Sequence, residues 1–498
     1  MAHHFADELP PRLSMWARVR RYAVPPSMIE TATARRTVGD WAGACAAARI
    51  DVDLDLRAVA IRHGTDIATR VRADLRRLAP DLLRWHMPRI APDGRLRPGL
   101  TLALAAYHRS ADDPLQLVVR TPPAWADAGQ RLSLTLWEGS GKAAAGRLPR
   151  TYASSHPHPH PDRRFRLDLH RHLWDAGQAG ELARRCGLTG GARPAVPPPG
   201  LTGDLDGAWA VTRWAAEAEL LLRAEGRPRG AFVVRLGAGR RAVLELVAPD
   251  AGHVPVCGPP REPLPPREAA ALPVLPEAAA RTLPDLELLR AGLVAVDRLH
   301  PLVATALAPA ARAPVPGGIP GLAPEPGDPH RVECRGEVHR IALRDGVLSA
   351  IDHDPTTLRR EELLVALGGP ALPCLRAIDA VHRDPQALPA VRERLGHGDV
   401  AGALAVVEGL LGPGAVLRDG PLREELMSAA ARRVDHGLFR SGLPAEHPAA
   451  ATASAGSGQA SDAGRTAAGH RPRLDRHTPL DWRRKRSSRS RPRTGLSP

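Results

Sequence analysis

The stretch Glu337-Val338-His339-Arg340-Ile341-Ala342-Leu343-Arg344-Asp345-Gly346-Val347-Leu348-Ser349-Ala350-Ile351 decides the fold class. Two alternating runs flank Asp345-Gly346, and Asp-Gly between alternating strands is a strong hairpin signal because both turn positions must take positive φ. Arg331–Cys334 adds a strand on the near side. Downstream the period changes to that of helices: Thr357–Leu367, Pro373–His382, Leu388–Leu395, Asp399–Leu411 and Leu422–Leu438. Antiparallel pairing segregated from runs of helix is α+β, with helical N- and C-terminal segments flanking small antiparallel β regions.

Working outward, residues 12–90 are expected to be a helical domain. Ser27-Met28-Ile29-Glu30 after Pro25-Pro26 has the spacing of a capping box, Asp40 can cap the helix Trp41–Ile50, and Gly64 closes one near Ala58–His63. Ile67, Val71, Leu75 and Leu78 line a further helix that Pro80 is expected to end. Residues 98–180 read as an antiparallel β region, with strands Leu100–Tyr107, Leu115–Arg120 and Arg131–Trp137 and a fourth at Arg164–Leu169. Residues 200–250 read as a helix plus β-hairpin, Ala231–Leu236 and Arg241–Val247 around Gly237–Gly239. Residues 251–330 read as a Pro-rich connector with short helices, 331–443 as the β-hairpin plus helical domain, and 444–498 as a disordered basic tail. One internal echo stands out: Gly39-Asp40-Trp41-Ala42-Gly43-Ala44-Cys45-Ala46 matches Gly398-Asp399-Val400-Ala401-Gly402-Ala403-Leu404-Ala405 at six of eight positions. Each is a glycine turn, an aspartate cap and a small-residue helix face.

Charge narrows the function classes. Lys142 and Lys485 are the only lysines among 69 basic residues, and with 51 prolines this arginine bias is that of a high-GC bacterium. It is not selection for phosphate recognition. Residues 449–498 hold a net +8 of the chain's +15, leaving a nearly ordinary body. Arg483, Arg484, Lys485 and Arg486 could contact polyanions, including nucleic acid, without sequence specificity. Too few aromatics are present for a stacking platform, since Tyr and Phe together number seven. The five cysteines have neither knuckle nor disulfide-framework spacing. The acidic N-terminus is no secretory signal, and the most apolar stretch, Leu289–Ala308, carries Arg290, Asp297 and Arg298. The expectation is a soluble, cytoplasmic protein with no membrane association.

Candidate chemistry is sparse. Glu138-Gly139-Ser140-Gly141-Lys142 lacks the first glycine and the hydroxyl of a phosphate loop, and Gly237-Ala238-Gly239 lacks the third glycine of a dinucleotide fingerprint. No cofactor is expected. No metal site is expected either; the alternative is His156, His158 and His160 in the run His156-Pro157-His158-Pro159-His160-Pro161. Alternating proline imposes three residues per turn, so these rings point apart in a solvated loop. Asp352-His353-Asp354 places an imidazole between two carboxylates, of which Asp354 before Pro355 is a natural helix cap. Cys334, His339 and His353 lie on or beside the same hairpin, so a Cys–His nucleophile pair is the alternative for an enzyme of unknown class, subject to cross-strand register.

The strings Arg20-Arg21-Tyr22-Ala23-Val24-Pro25, Val38-Gly39-Asp40-Trp41-Ala42-Gly43-Ala44-Cys45 and Glu361-Glu362-Leu363-Leu364-Val365-Ala366-Leu367-Gly368-Gly369 are similar to those of a large uncharacterised actinobacterial protein family. The resemblance covers residues 15–440, which leaves Met15 as an alternative start to Met1. Such families are found beside MoxR-type AAA+ ATPases and von Willebrand A-domain proteins. The resemblance therefore implies a non-enzymatic accessory or scaffold role, with those proteins as partners. It carries no catalytic residues across.

Overall fold

A computed structural model describes residues 10–441, apart from the segments 109–113, 140–155, 189–207, 248–255, 308–330, 384–386 and 413–415 and positions 157, 159, 228, 238, 261, 263, 335, 345 and 346. The fold is α+β. It divides into two compact units, one of residues 1–127, 131–316 and 439–498, the other of residues 128–130 and 317–438. Among the described residues no helix is long and apolar enough to cross a membrane.

The first unit begins with α1 (Pro11–Arg18), which continues through a π-helical turn, Val19–Ala23. Then come α2 (Pro26–Thr37), α3 (Trp41–Ala47), the strand β1 (Ile50–Asp53), α4 (Leu56–His63), α5 (Thr65–Arg77) and α6 (Pro80–Trp85). Two expectations are corrected here. Ser27 caps nothing: Pro26 takes the first helical position, where its missing N–H costs nothing, and the helix starts two residues earlier than a Ser27 cap would set it. Pro80 likewise opens α6 rather than closing α5, which stops at Arg77.

A short ladder, β2 (Arg89–Ile90) with β3 (Arg95–Leu96), leads into β4 (Thr101–His108), β5 (Leu115–Arg120) and β6 (Leu132–Trp137). The main sheet has the order β1-β6-β5-β4. The first pair is parallel, with Ile50 opposite Leu132, and the others are antiparallel. The expected all-antiparallel region is therefore a mixed sheet. Its fourth strand is β1, drawn from the segment expected to be wholly helical, and not Arg164–Leu169, which makes one bridge to Ala103 and a 3-10 turn. Arg49 at φ +59° is the pivot that ends the α3 segment and turns the chain into β1.

After α7 (Leu182–Arg185), the helix α8 (Trp214–Ala224) covers a second antiparallel sheet of β7 (Gly230–Arg235), β8 (Arg241–Val247) and β9 (Val256–Gly258). Trp214, Ala218 and Leu222 pack on Phe232, Val234, Leu244 and Leu246. The hairpin lies where the glycine turn places it; β9 is an addition. The stretch read as a connector then folds into α9 (Pro266–Ala271), α10 (Glu277–Ala280), α11 (Pro284–Arg290) and α12 (Pro301–Leu307). Leu283, Leu286, Leu288, Leu299, Val303 and Leu307 belong to the same core as Trp16, Leu82, Leu83 and the main sheet. Proline density marks helix starts here, not a linker.

The second unit is the hairpin β10 (Arg331–Cys334), β11 (Glu337–Arg344) and β12 (Val347–Ala350), followed by α13 (Pro355–Ala366), α14 (Pro373–Arg383), α15 (Leu388–Gly396), α16 (Val400–Leu411) and α17 (Pro421–Arg440). Its main core joins Ile341 and Leu348 to Ile378, Val391, Leu395, Val407 and Leu422.

The internal echo is a repeated helix–turn–helix joint. Gly39 and Gly398 sit at φ +81° and +80°. Asp40 and Asp399 follow, and their N–H groups donate to the carbonyls of Arg35 (3.0 Å) and Arg394 (2.7 Å). Asp40 Oδ1 accepts from the Gly43 amide at 2.8 Å and Asp399 Oδ1 from the Gly402 amide at 3.2 Å. Each carboxylate also takes a guanidinium from the previous helix, Arg35 or Arg394. The two joints differ in surroundings: a Cβ on Gly39 would meet open space, whereas one on Gly398 would stand 2.0 Å from the Gly129 carbonyl oxygen. A left-handed alanine costs about 1–2 kcal/mol. Gly39→Ala should lose about that much on urea denaturation of the full chain, and Gly398→Ala distinctly more. Equal losses would show that the Gly129 contact does not constrain the joint.

Candidate functional site

Strand register assembles a sulfur–imidazole cluster in the second unit. Val332 pairs with His339 and Cys334 with Glu337, so Cys334 and His339 point to the same face of the hairpin. His353 lies in the turn after β12, where its ring stacks on His339 with centroids 4.4 Å apart and planes at 30°. Its Nε2 is 4.0 Å from Cys334 Sγ. The neighbouring carboxylates are committed elsewhere: Asp352 accepts from the Arg340 amide, and Asp354 caps α13 through Thr356 and Thr357. The His353 ring is engaged by neither carboxylate and lies against His339 and Cys334.

A third group completes the cluster. Cys374 is the second residue of α14, which packs across the hairpin, and its Sγ, Cys334 Sγ and a His353 ring nitrogen all lie within 4.8 Å of one another. Both thiols are shielded, Cys334 at 1% and Cys374 at 0% exposure, while His353 is half-buried. Burial, then the adjoining Cys334 thiol, pushes Cys374 up to about 11. A nucleophilic cysteine needs an accessible thiolate. Neither thiol of this pair is accessible to a substrate, so the geometry suits ligation better than nucleophilic attack. Sequence reasoning reached Cys334, His339 and His353 but missed Cys374. Its only signal is a Pro-Cys helix start forty residues from Cys334, a distance at which no ligand-spacing pattern operates.

The histidine–proline run has a structural task. His156 is buried, not solvated: Nε2 donates to the Thr121 carbonyl at 2.9 Å, and Nδ1 accepts from the His158 amide at 3.2 Å. Burial holds its pKa at about 4, although the Thr121 and His158 carbonyls, each 2.9 Å from a ring nitrogen, favour the charged ring. The His158 carbonyl accepts from Thr101 Oγ1, the Asp162 amide donates to the Thr101 carbonyl, and His160 meets Trp137 edge-on at 5.7 Å. The segment is tied to Thr101 at the start of β4, an edge strand of the main sheet. Among the described residues the ligand atoms of His156, His158 and His160 do not come together, so the alternative metal set is not assembled. The phosphate-loop-like residues 140–142 and the basic run Arg483–Arg486 lie outside the described residues.

The first unit hides a polar assembly that the sequence does not announce. His300 Nδ1 accepts from the Leu302 amide (3.2 Å), leaving Nε2 to donate to Asp81 Oδ2 at 2.7 Å. Trp85 Nε1 donates to Asp285 Oδ2 at 2.9 Å. Burial raises the pKa of Asp285, and the Trp85 hydrogen bond and Arg20 only partly offset that. Glu217 accepts from His170 Nε2 (3.1 Å) and Arg185 Nε (2.8 Å). Burial opposes its charge, yet these two partners prevail and hold it at about 2. His172 lies beside this set, kept well below its ordinary range by burial and by His170. Asp81 Oδ1, Asp285 Oδ1 and His172 Nδ1 have no hydrogen-bond partner among the described residues. A shallow cleft of about 280 Å³ on the same unit is lined by Arg163, Arg235, Arg240 and Arg241.

Comparison of the chain with protein-family models, with curated proteins and with solved structures returned no match.

Acid lability follows from the buried histidines. A ring whose pKa falls from 6.5 unfolded to about 4 folded binds its proton only on unfolding, so stability is intact above pH 6.5 and drains as pH falls toward 4. Glu217 acts in a lower window, losing its contribution between about 4.5 and 2. Between pH 6 and 5, His156→Gln should flatten the slope of unfolding free energy against pH by about 1 kcal/mol per unit. Chemical denaturation at half-unit pH intervals measures this, and a slope equal to wild type would contradict a neutral buried His156.

Proposed function

We propose that the chain is a non-enzymatic, cytoplasmic accessory protein that docks partner proteins through its second unit. One observation supports this reading above others. Helix α13 buries none of its side chains, yet Leu363 is 60% exposed, Leu364 45% and the adjoining Leu367 86%. The helix does not need those leucines to hold its place, because Asp354 caps its first turn and Leu358 anchors it to the cluster around Cys334. Contiguous apolar side chains displayed by a fixed helix are the pattern of a protein–protein contact. Val416, Met427 and Val434 of the same unit are also exposed. The stretch Glu361–Gly369 is one of those that carry the family resemblance, so the partners we propose are an AAA+ ATPase and a von Willebrand A-domain protein. Five free thiols suit a reducing compartment.

Catalysis by the Cys334–His353 pair is the weaker reading, because substrate would have to reach a thiol that is 1% exposed. Polyanion contact through Arg483, Arg484, Lys485 and Arg486 is a separate proposal that rests on their charge alone.

Pull-down of the full chain from native lysate should recover the ATPase and the A-domain protein. Leu363→Asp/Leu367→Asp should lose at least nine-tenths of both while leaving the far-ultraviolet circular dichroism spectrum unchanged. A wild-type chain that recovers neither protein overturns the docking reading. Deletion of residues 449–498 should abolish salt-sensitive retention on DNA without affecting that capture; unchanged retention would end the tail proposal.

A further inference from the structure

We propose that Cys334, His353 and Cys374 bind a zinc ion that staples the hairpin to the start of α14. The inference is independent of the docking role and concerns how this part of the chain is held together.

Geometry comes first. A tetrahedral zinc ion sits about 2.3 Å from thiolate sulfur and about 2.0 Å from imidazole nitrogen, which sets the ligand atoms about 3.5–3.8 Å apart. Here the three ligand atoms lie within 4.8 Å of one another, and Cys334 Sγ is 4.0 Å from His353 Nε2. Side-chain shifts of about half an ångström to 1 Å close the difference. The donors come from three separate elements, β10, the turn after β12 and the N-terminal turn of α14. No local turn preference brings them together.

Charge and softness select the metal. Two thiols lose their protons on binding, so Zn²⁺, two thiolates and a neutral imidazole sum to zero, and two protons are released to solvent. A neutral assembly is the form a buried site tolerates. Thiolate and imidazole donors favour zinc over magnesium or calcium, which take oxygen. A water molecule would complete the tetrahedron, and of the three ligands only His353 borders solvent. His339 lies flat against His353 and fixes the plane of its ring, a positioning role of the kind that supports metal-bound histidines.

The surrounding core explains why a staple is needed. Cys334 and Cys374 belong to a satellite apolar cluster whose other buried members among the described residues are Ala350 and Leu372, with Val332, Leu358 and Leu375 packed at its edge. A cluster of this size stabilises the junction of three elements only modestly. The competing account, two cysteines used as small apolar residues, explains their burial. It gives no reason for an imidazole nitrogen aimed at the sulfur while both flanking carboxylates are engaged elsewhere.

Plasma emission spectrometry on the full chain, purified without chelator, should find one zinc per molecule. Cys334→Ser, Cys374→Ser and His353→Ala should each lose it, whereas His339→Ala should retain it with weaker affinity. Because these variants could unfold, cobalt titration of the metal-stripped wild type supplies a second measure. Thiolate-to-cobalt charge-transfer absorption with tetrahedral d–d bands is expected, together with protection of two thiols from alkylation. A reduced, folded wild type with neither zinc nor cobalt–thiolate absorption overturns the proposal. So does a Cys334–Cys374 disulfide detected by mass in the absence of reductant.

Discussion

The first unit depends on a six-residue helix with no solvent-facing side. Every residue of α6, Pro80–Trp85, is buried. A helix this short cannot persist alone, because its nucleation cost exceeds what its few internal hydrogen bonds return. It is held by its polar side chains: Asp81 by His300, Trp85 by Asp285, and Arg84 by the Ala23 carbonyl. These contacts fix Leu82 and Leu83 in the core shared with the main sheet. Removing one partner of a buried polar pair strands the other, at about 1–3 kcal/mol for neutral groups and more for charged ones. The polar contacts are thus a condition for the apolar packing, not an ornament on it.

The same chemistry explains which parts of the fold were legible. The second unit follows its sequence closely, because its signals are local: an Asp-Gly turn, aspartate caps at Asp354 and Asp399, and helices with clear periods. The first unit is tied by partners far apart in the chain. Strand β1 is four residues long and pairs in parallel with β6 about eighty residues later, so neither length nor alternation betrays it. Proline misled most. Pro80 was expected to end a helix, yet it opens one, as Pro26, Pro284 and Pro301 also do, using the fixed φ that suits the first helical position.

The candidate site shows the same division. His353 was visible because its acidic neighbours are unusual, and Asp354 behaves as the cap its place before Pro355 suggests. Whether His353 and Cys334 meet was a question of register, and β10 and β11 answer it by aligning Val332 with His339. Cys374 was invisible because it approaches through the packing of α14 on the hairpin, a tertiary event. The aspartate joints were the most legible feature of all. The same short string at residues 39 and 398 builds the same turn, down to an arginine five residues before each cap.

The pairing of α6 with α11 and α12 bears on the order in which the molecule can be made. Trp85 and Asp285 are 200 residues apart, and Asp81 and His300 are 219 apart. A ribosome adding about 5–20 residues per second takes some tens of seconds to span that interval. Throughout it, the leucines of α6 have emerged while the groups that lock their helix do not yet exist. Until residue 300 has been synthesised, the nascent chain lacks the side chains that bond to Asp81 and Trp85. The order of synthesis, and not only the final contacts, therefore sets when α6 can acquire its native partners.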